Sequence, residues 1–157
     1  MIKLDITDHK ILKLLQANAN LTTKEIATEL GLSNTPTYER VKRLQRHKVI
    51  VKSVALIDRK QVNCDLIGFC NVSLDQHSKQ SLEQFENDIV HFEEILECYH
   101  ITGKYDYMLK VAVKDMEAYH KFTFNHLASL ENVGNVHTIF VMKDVKYSTA
   151  YPLPFSE

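Results

Sequence analysis

Apolar and polar positions in the first fifty residues recur with helical spacing. Ile11, Leu12, Leu14 and Leu15 form one stripe after an acidic start, with Asp5 placed as N-cap and Asp8 three residues on. Thr22 and Glu25 have the spacing of a capping box, in which a hydroxyl and a carboxylate each satisfy a free backbone N–H. Ile26, Ala27 and Leu30 follow on one face, and Gly31 suits the left-handed residue that ends a helix. Ser33 can cap the next helix at once, with Pro36 in a first turn where its missing N–H costs little. The pattern predicts three helices within residues 6–47, the last two joined by a tight turn. That is the helix-turn-helix unit, whose second helix can enter the DNA major groove.

From Val49 the period changes. Residues 49–57 (VIVKSVALI) are rich in β-branched side chains and lack Gly and Pro, which predicts a strand leaving the helical domain; residues 58–65 read as a polar connector. Strands are predicted at 66–74, 95–101, 107–113 and 136–145. A helix at 78–90 turns Leu82, Phe85 and Ile89 to one side, and a second, capped by Asp115, turns Met116, Tyr119, Phe122 and Leu130 to the sheet. This βαββαβ order predicts an α+β chain whose ferredoxin-like second domain has a four-stranded antiparallel sheet with two helices on one face. The other face keeps enough apolar side chains to need a cover, most simply a second copy of itself. The tail from Ser148, with Pro152 and Pro154, should be irregular. The expected organisation is thus a DNA-binding domain over 1–50, a hinge strand and connector over 51–65, the sheet domain over 66–147, and a tail over 148–157.

Charge sharpens the division. The net charge of −1 over 157 residues hides +4 on residues 1–58 and −5 on the remainder. Between Ser33 and Lys48 the cations Arg40, Lys42, Arg43, Arg46 and Lys48 face a single anion, Glu39. On a helical wheel Thr37, Val41 and Leu44 fall on the packing side. Thr35, Glu39, Lys42, Arg43 and Arg46 fall opposite, with Tyr38 and Arg40 on the flanks. A solvated charged face is the ordinary alternative, but the turn spacing, the Ser cap and the lack of balancing acids favour nucleic acid. The candidate DNA contacts are Ser33, Asn34, Thr35, Pro36, Tyr38, Arg40, Lys42, Arg43 and Arg46.

Other chemistry finds little support. No run of eighteen apolar residues exists, so no membrane span is expected, and Lys3, Asp5 and Asp8 interrupt any signal-peptide core. Cys64, Cys70 and Cys98 lack CxxC spacing and read as free thiols of a reducing cytoplasm. The eight histidines show neither HxxxH nor HxH spacing, so no metal site is expected. Phosphate-loop, dinucleotide and nucleophile motifs are absent, so no catalytic residue is assigned. One turn stands out: Thr102-Gly103-Lys104-Tyr105-Asp106. Gly103 lets the backbone expose N–H groups, and Asp106 offers a carboxylate, the two things a free amino acid needs. Taken by themselves, these residues fit a plain hairpin loop better.

Three runs carry a resemblance: Leu4-Asp5-x-x-Asp8-x-x-Ile11-Leu12; Leu32-Ser33-Asn34-Thr35-Pro36-x-x-Glu39-Arg40-Val41-Lys42-Arg43-Leu44; and Glu97-Cys98-Tyr99-x-Ile101-Thr102-Gly103-x-Tyr105-Asp106-Tyr107. In this order and separation the chain resembles the Lrp/AsnC (feast/famine) family of transcriptional regulators along nearly its whole length. The resemblance implies a winged helix-turn-helix domain, a hinge strand, and a C-terminal domain for oligomerisation and amino-acid binding, with homodimers assembling into octamers or similar rings. It makes the Gly103 turn the effector loop, with Thr102, Gly103, Tyr105 and Asp106 as effector-binding candidates; His100 beside it and Thr138 from a neighbouring subunit are added. The chain would then be a cytoplasmic, sequence-specific regulator binding double-stranded DNA and an amino-acid effector, not an enzyme, with no other cofactor. Four positions depart from the family: Lys48 for a helix-ending Gly, Thr37 for Val, Asn20 for Arg, and Asn63 for Gly. The Thr37 hydroxyl should bond back one turn, and Lys48 is strained if left-handed. The alternatives are a haem-pathway (tetrapyrrole) decarboxylase of the same two-domain build, and a helix-turn-helix used only for protein contacts. The retained cations of residues 40–46 argue against the first.

Overall fold

The structure, a computed structural model, describes residues 2–153; Met1 and residues 154–157, the end of the expected tail, lie outside the described residues. The chain divides into two compact units. One holds residues 1–56 together with the segment from Lys146 onward, and the other residues 57–145.

The first unit is three helices, α1 (Ile6–Ala17), α2 (Thr23–Glu29) and α3 (Asn34–Arg46). Asp5 and Asp8 form a reciprocal capping box on α1, and Thr22 and Glu25 form another on α2. Gly31 takes φ 64°, and the Leu32 N–H donates to the Ala27 carbonyl at 2.8 Å, which closes α2 and starts the turn. Ile11, Leu12, Ile26 and Leu44 are the buried centre. Thr37 is fully buried, and its hydroxyl donates to the Ser33 carbonyl one turn back at 2.9 Å. Lys48 has φ 56°, a left-handed backbone carried without glycine.

Two features of this unit differ from the sequence expectation. The strand over 49–57 does not form. Residues 51–58 have no ladder partner, with Val51 79% and Ile57 66% exposed. Their β-branched side chains favour extended backbone, but a strand needs an edge to pair with, and this chain gives it none. Residues 148–153 of the tail are irregular as expected, yet they belong to this unit. The Gln16 side-chain amide accepts from the Tyr151 N–H at 2.7 Å and donates to the Tyr151 carbonyl at 3.2 Å, as a neighbouring strand would, and Leu153 packs on the helical core.

The second unit is β1 (Leu66–Leu74), α4 (Lys79–Ile89), β2 (Ile95–His100), β3 (Tyr107–Val113), α5 (Met116–Asn125) and β4 (Val133–Phe140), with short 3-10 turns at Arg59–Val62 and Leu127–Ser129. The strands pair antiparallel in the order β2-β3-β1-β4. Cys70, Val72, Leu74, Tyr107, Leu109, Val111 and Val113 meet Phe85, Ile89, Tyr119, Phe122 and Leu127 in one core. β4 starts three residues before the expected position and stops five before the expected end. Its partner β1 has only Leu66 and Ile67 beyond the Gly68–Phe140 pair, so no edge remains for residues 142–145. Met116, expected against the sheet, is 45% exposed in the first turn of α5, while Leu130 reaches the core from beyond the helix.

Alternation along the strands leaves Phe69, Asn71, Glu97, Tyr99, Met108, Lys110, His137 and Ile139 on the face without helices. Tyr99 and Ile139 are 48% and 57% exposed there. No helix among the described residues is long and apolar enough to cross a membrane.

Candidate functional site

Two places carry chemistry, one in each unit. The first is the outer face of α3. Ser33 sits at the N-cap but makes no side-chain cap bond; Thr37 takes the Ser33 carbonyl, and the Ser33 hydroxyl stays exposed. Asn34, Thr35, Pro36, Tyr38, Lys42 and Arg46 are exposed beside it. The Lys42 ammonium lies 5.5 Å from the Tyr38 ring centroid, so both project from one side of the helix. A helix N-terminus with free N–H groups, small hydroxyls and two open cations suits a phosphate backbone and base edges.

Arg43 is placed differently from the helical-wheel expectation, and Arg40, on the flank as expected, turns to the same partner. Arg40 Nη1 donates to Asp5 Oδ2 at 2.6 Å and to Asp8 Oδ1 at 2.9 Å, and Arg43 Nη2 donates to Asp8 Oδ2 at 2.5 Å. Asp8 is fully buried. A buried carboxylate requires counter-charge, and that requirement turns both guanidinium groups back onto α1. The Asp8 N–H and the Arg40 guanidinium hold the Asp5 carboxyl below its usual range, and the Asp5 bond raises Arg40 in turn. The structure therefore divides the cations of α3 into two held inward and two, Lys42 and Arg46, left outward.

The second place is the turn between β2 and β3. Gly103 takes φ 118°, and nothing lies within 4 Å of the position a Cβ would occupy. Thr102, Gly103 and Lys104 are exposed, and Tyr105 and Asp106 half-buried. Asp106 is anchored on all sides. Its N–H donates to the Val72 carbonyl, its carbonyl accepts from the Ile101 N–H, Oδ2 accepts from the Leu74 N–H at 2.8 Å, and Oδ1 lies 2.9 Å from His77 Nε2. Tyr105 stacks near His137, ring centroids 6.2 Å apart, and Lys104 stands over Tyr105 at 5.3 Å. His100 stacks on Tyr107 at 4.7 Å. These two line a shallow cleft of about 180 Å³ with Glu86, Ile89, Val90 and Cys98, where the Tyr107 hydroxyl donates to Glu86 at 2.9 Å. Burial pushes the Tyr107 phenol well above its ordinary range. Thr138, expected at the loop of a neighbouring subunit, stands apart from the loop of its own chain. It points to the helix-covered face and bonds the Tyr119 hydroxyl at 2.5 Å.

The Leu74 N–H, and then His77, hold the Asp106 carboxyl below the ordinary carboxylate range. A depressed folded value means the contribution is full above the unfolded pKa of about 3.9, and is lost as pH falls through the folded value. Acid titration followed by circular dichroism should therefore unfold the parent at a pH where Asp106→Asn, which lacks this group, shows a shallower loss.

The residues missed from the sequence are partners across long separations. Asp5 and Asp8 were visible only as caps, and His77 and His137 only as members of a histidine count. The one available signal was register: once β1 pairs with β3, Leu74 falls beside Asp106.

Comparison with known proteins follows the same two units. The pattern of the winged helix-turn-helix DNA-binding family matches residues 4–51, and that of the Lrp/AsnC ligand binding domain matches residues 67–151. The chain is 36% identical over 153 residues to the Bkd operon transcriptional regulator of Pseudomonas aeruginosa, covering 98% of this chain and 100% of that one. It is 37% identical over 145 residues to the leucine-responsive regulatory protein of Escherichia coli, covering 92% and 88%. Among solved structures it superposes with a TM-score of 0.93 at 34% identity on an AsnC family transcriptional regulator from Agrobacterium tumefaciens, covering 98% and 100%. It superposes with a TM-score of 0.91, also at 34% identity, on a transcriptional regulator of Neisseria meningitidis solved as its complex with L-Met, covering 96% and 97%.

Proposed function

We propose, for a chain that belongs to the Lrp/AsnC family of transcriptional regulators, that it reads double-stranded DNA with the outer face of α3 and alters that binding when an amino acid or related small molecule occupies the Gly103 loop. The observation that carries this reading is the α3 face: Ser33, Asn34, Thr35, Lys42 and Arg46 are open to solvent on a helix whose back is locked by Thr37 and Leu44. Selection of bound genomic fragments from the organism of origin, with and without a mixture of the twenty amino acids, tests both halves. Enrichment of a defined sequence that changes with the mixture supports the reading. Retention of fragments without sequence preference under both conditions removes it.

Amino acids as the effector class are supported by the relatives, one named leucine-responsive and one solved with L-Met. In this chain each Asp106 oxygen accepts one internal bond and retains lone-pair capacity for an ammonium, while the open backbone at Gly103 suits a carboxylate. Calorimetry against the twenty amino acids should show heat with the parent and none with Asp106→Ala. Equal binding by that variant would reduce the loop to a hairpin turn.

The helix-free sheet face, with Tyr99 and Ile139 half exposed, supports a homodimer through that face; a cytoplasmic ring of such dimers, up to an octamer, is proposed on family membership alone. Light scattering of the full chain at micromolar concentration, with and without amino acids, checks the assembly.

A further inference from the structure

We infer that Asp8 is a positioning residue that sets how many cations of α3 reach DNA, by holding Arg40 and Arg43 inward and leaving Lys42 and Arg46 as the charge the helix presents. The inference rests on the DNA-binding reading above and concerns how that face discriminates operator from any other duplex.

The geometry is unusual for a capping residue. A cap needs one carboxylate oxygen, and Asp8 Oδ2 accepts from the Asp5 N–H at 3.1 Å. An exposed Asp or Glu would do this, as Glu25 does on α2. Asp8 instead has no solvent exposure at all and meets two guanidinium groups one turn apart on α3, 32 and 35 residues away. Asp5 adds a second carboxylate to Arg40. The arginines remain 32% and 39% exposed along their side chains, so they lie close enough to the surface to swing outward if released.

Charge that reaches phosphate strengthens binding to every sequence alike, whereas discrimination comes from groups meeting base edges. Two mobile arginines on the flank of a recognition helix would add the first kind. Fastened to Asp8, they stiffen α3 against α1 and subtract from the sequence-independent attraction. Asp8 thereby lowers non-specific binding without touching DNA.

Salt dependence separates this role from a merely structural one, because the slope of log K against log salt counts phosphates at about 0.9 each. Three variants of the full chain are compared with the parent on random duplex and on a selected operator: Asp8→Asn, Arg40→Gln and Lys42→Gln. Asp8→Asn keeps shape and an acceptor for the cap while removing the charge. Its slope on random duplex should steepen by about 1–2, and its operator preference should fall roughly tenfold. Arg40→Gln leaves Asp8 paired with Arg43 and should keep the parent slope on random duplex. Lys42→Gln should flatten it by about 0.9.

A flattened slope for Arg40→Gln overturns the inference, since Arg40 would then be on a phosphate in the parent. So does an Asp8→Asn protein that is folded by circular dichroism and keeps both the parent slope and the parent preference. If Asp8→Asn does not fold, the Arg40→Gln slope decides in either direction. A parent with no salt-dependent retention removes the DNA-binding reading, and this inference with it.

Discussion

Replacing Lys42 and Arg46 together by alanine should weaken operator binding by about 2–6 kcal/mol, a loss of roughly 30-fold to 10⁴-fold, from about 1–3 kcal/mol for each contact to a base or phosphate. The two side chains stand four residues apart on α3, so they lie one above the other on one strip of its outer face. Both are exposed, and among the described residues no carboxylate pairs with either. Their proximity means the double variant need not equal the sum of the singles, and the cycle should be measured whole. The slope on random duplex should flatten by about 1.8 if each meets one phosphate. Fluorescence anisotropy on a selected operator at several salt concentrations supplies both numbers. Unchanged affinity in the double variant would move the interface off α3. A large loss with an unchanged slope would place the two cations on base edges.

The contrast with Arg40 and Arg43 shows where sequence reading stops. The N-cap at Asp5, the capping box at Thr22, the left-handed Gly31, the back-bond of Thr37 and the succession of strands and helices along the sheet domain all depend on residues within a few positions of one another or on period alone. They were legible for that reason. The inward turn of Arg43 depends on a carboxylate 35 positions earlier, and a helical wheel places a residue by angle without knowing what its long side chain can reach. The surroundings of Thr138 within its own chain were hidden in the same way. Strand alternation fixes its face once β1 and β4 pair, but the pairing of Cys70 with Thr138 is a fact of register. Residues 49–57 carry strand composition without a partner, so composition was read correctly and the strand was still absent. The candidate effector loop was legible as a turn from its Gly and Asp, while its anchoring by Leu74 and His77 was not.

The remaining large effect concerns stability and serves to separate the two units. Leu44→Ala should destabilise the helical unit by about 2–5 kcal/mol, the range for emptying a fully buried leucine. Leu44 has no solvent exposure and packs with Ile11, Leu12 and Ile26, one or two side chains from each helix, so no single neighbour can collapse into the space. A unit of this size holds a margin at the low end of about 5–15 kcal/mol, so the substitution removes a large share of it. Urea unfolding followed by helical circular dichroism should show the loss as an early transition. The sheet unit, whose core shares no residue with this one, should unfold where it did before. Leu44→Met, close in volume, should cost less than about 1.5 kcal/mol and restore most of the DNA binding that Leu44→Ala loses. Amino-acid heats at the Gly103 loop should persist in both variants. A loss below about 1 kcal/mol for Leu44→Ala would mean that α3 is not held by this core. A matching loss of amino-acid binding would mean that the two units do not fold independently.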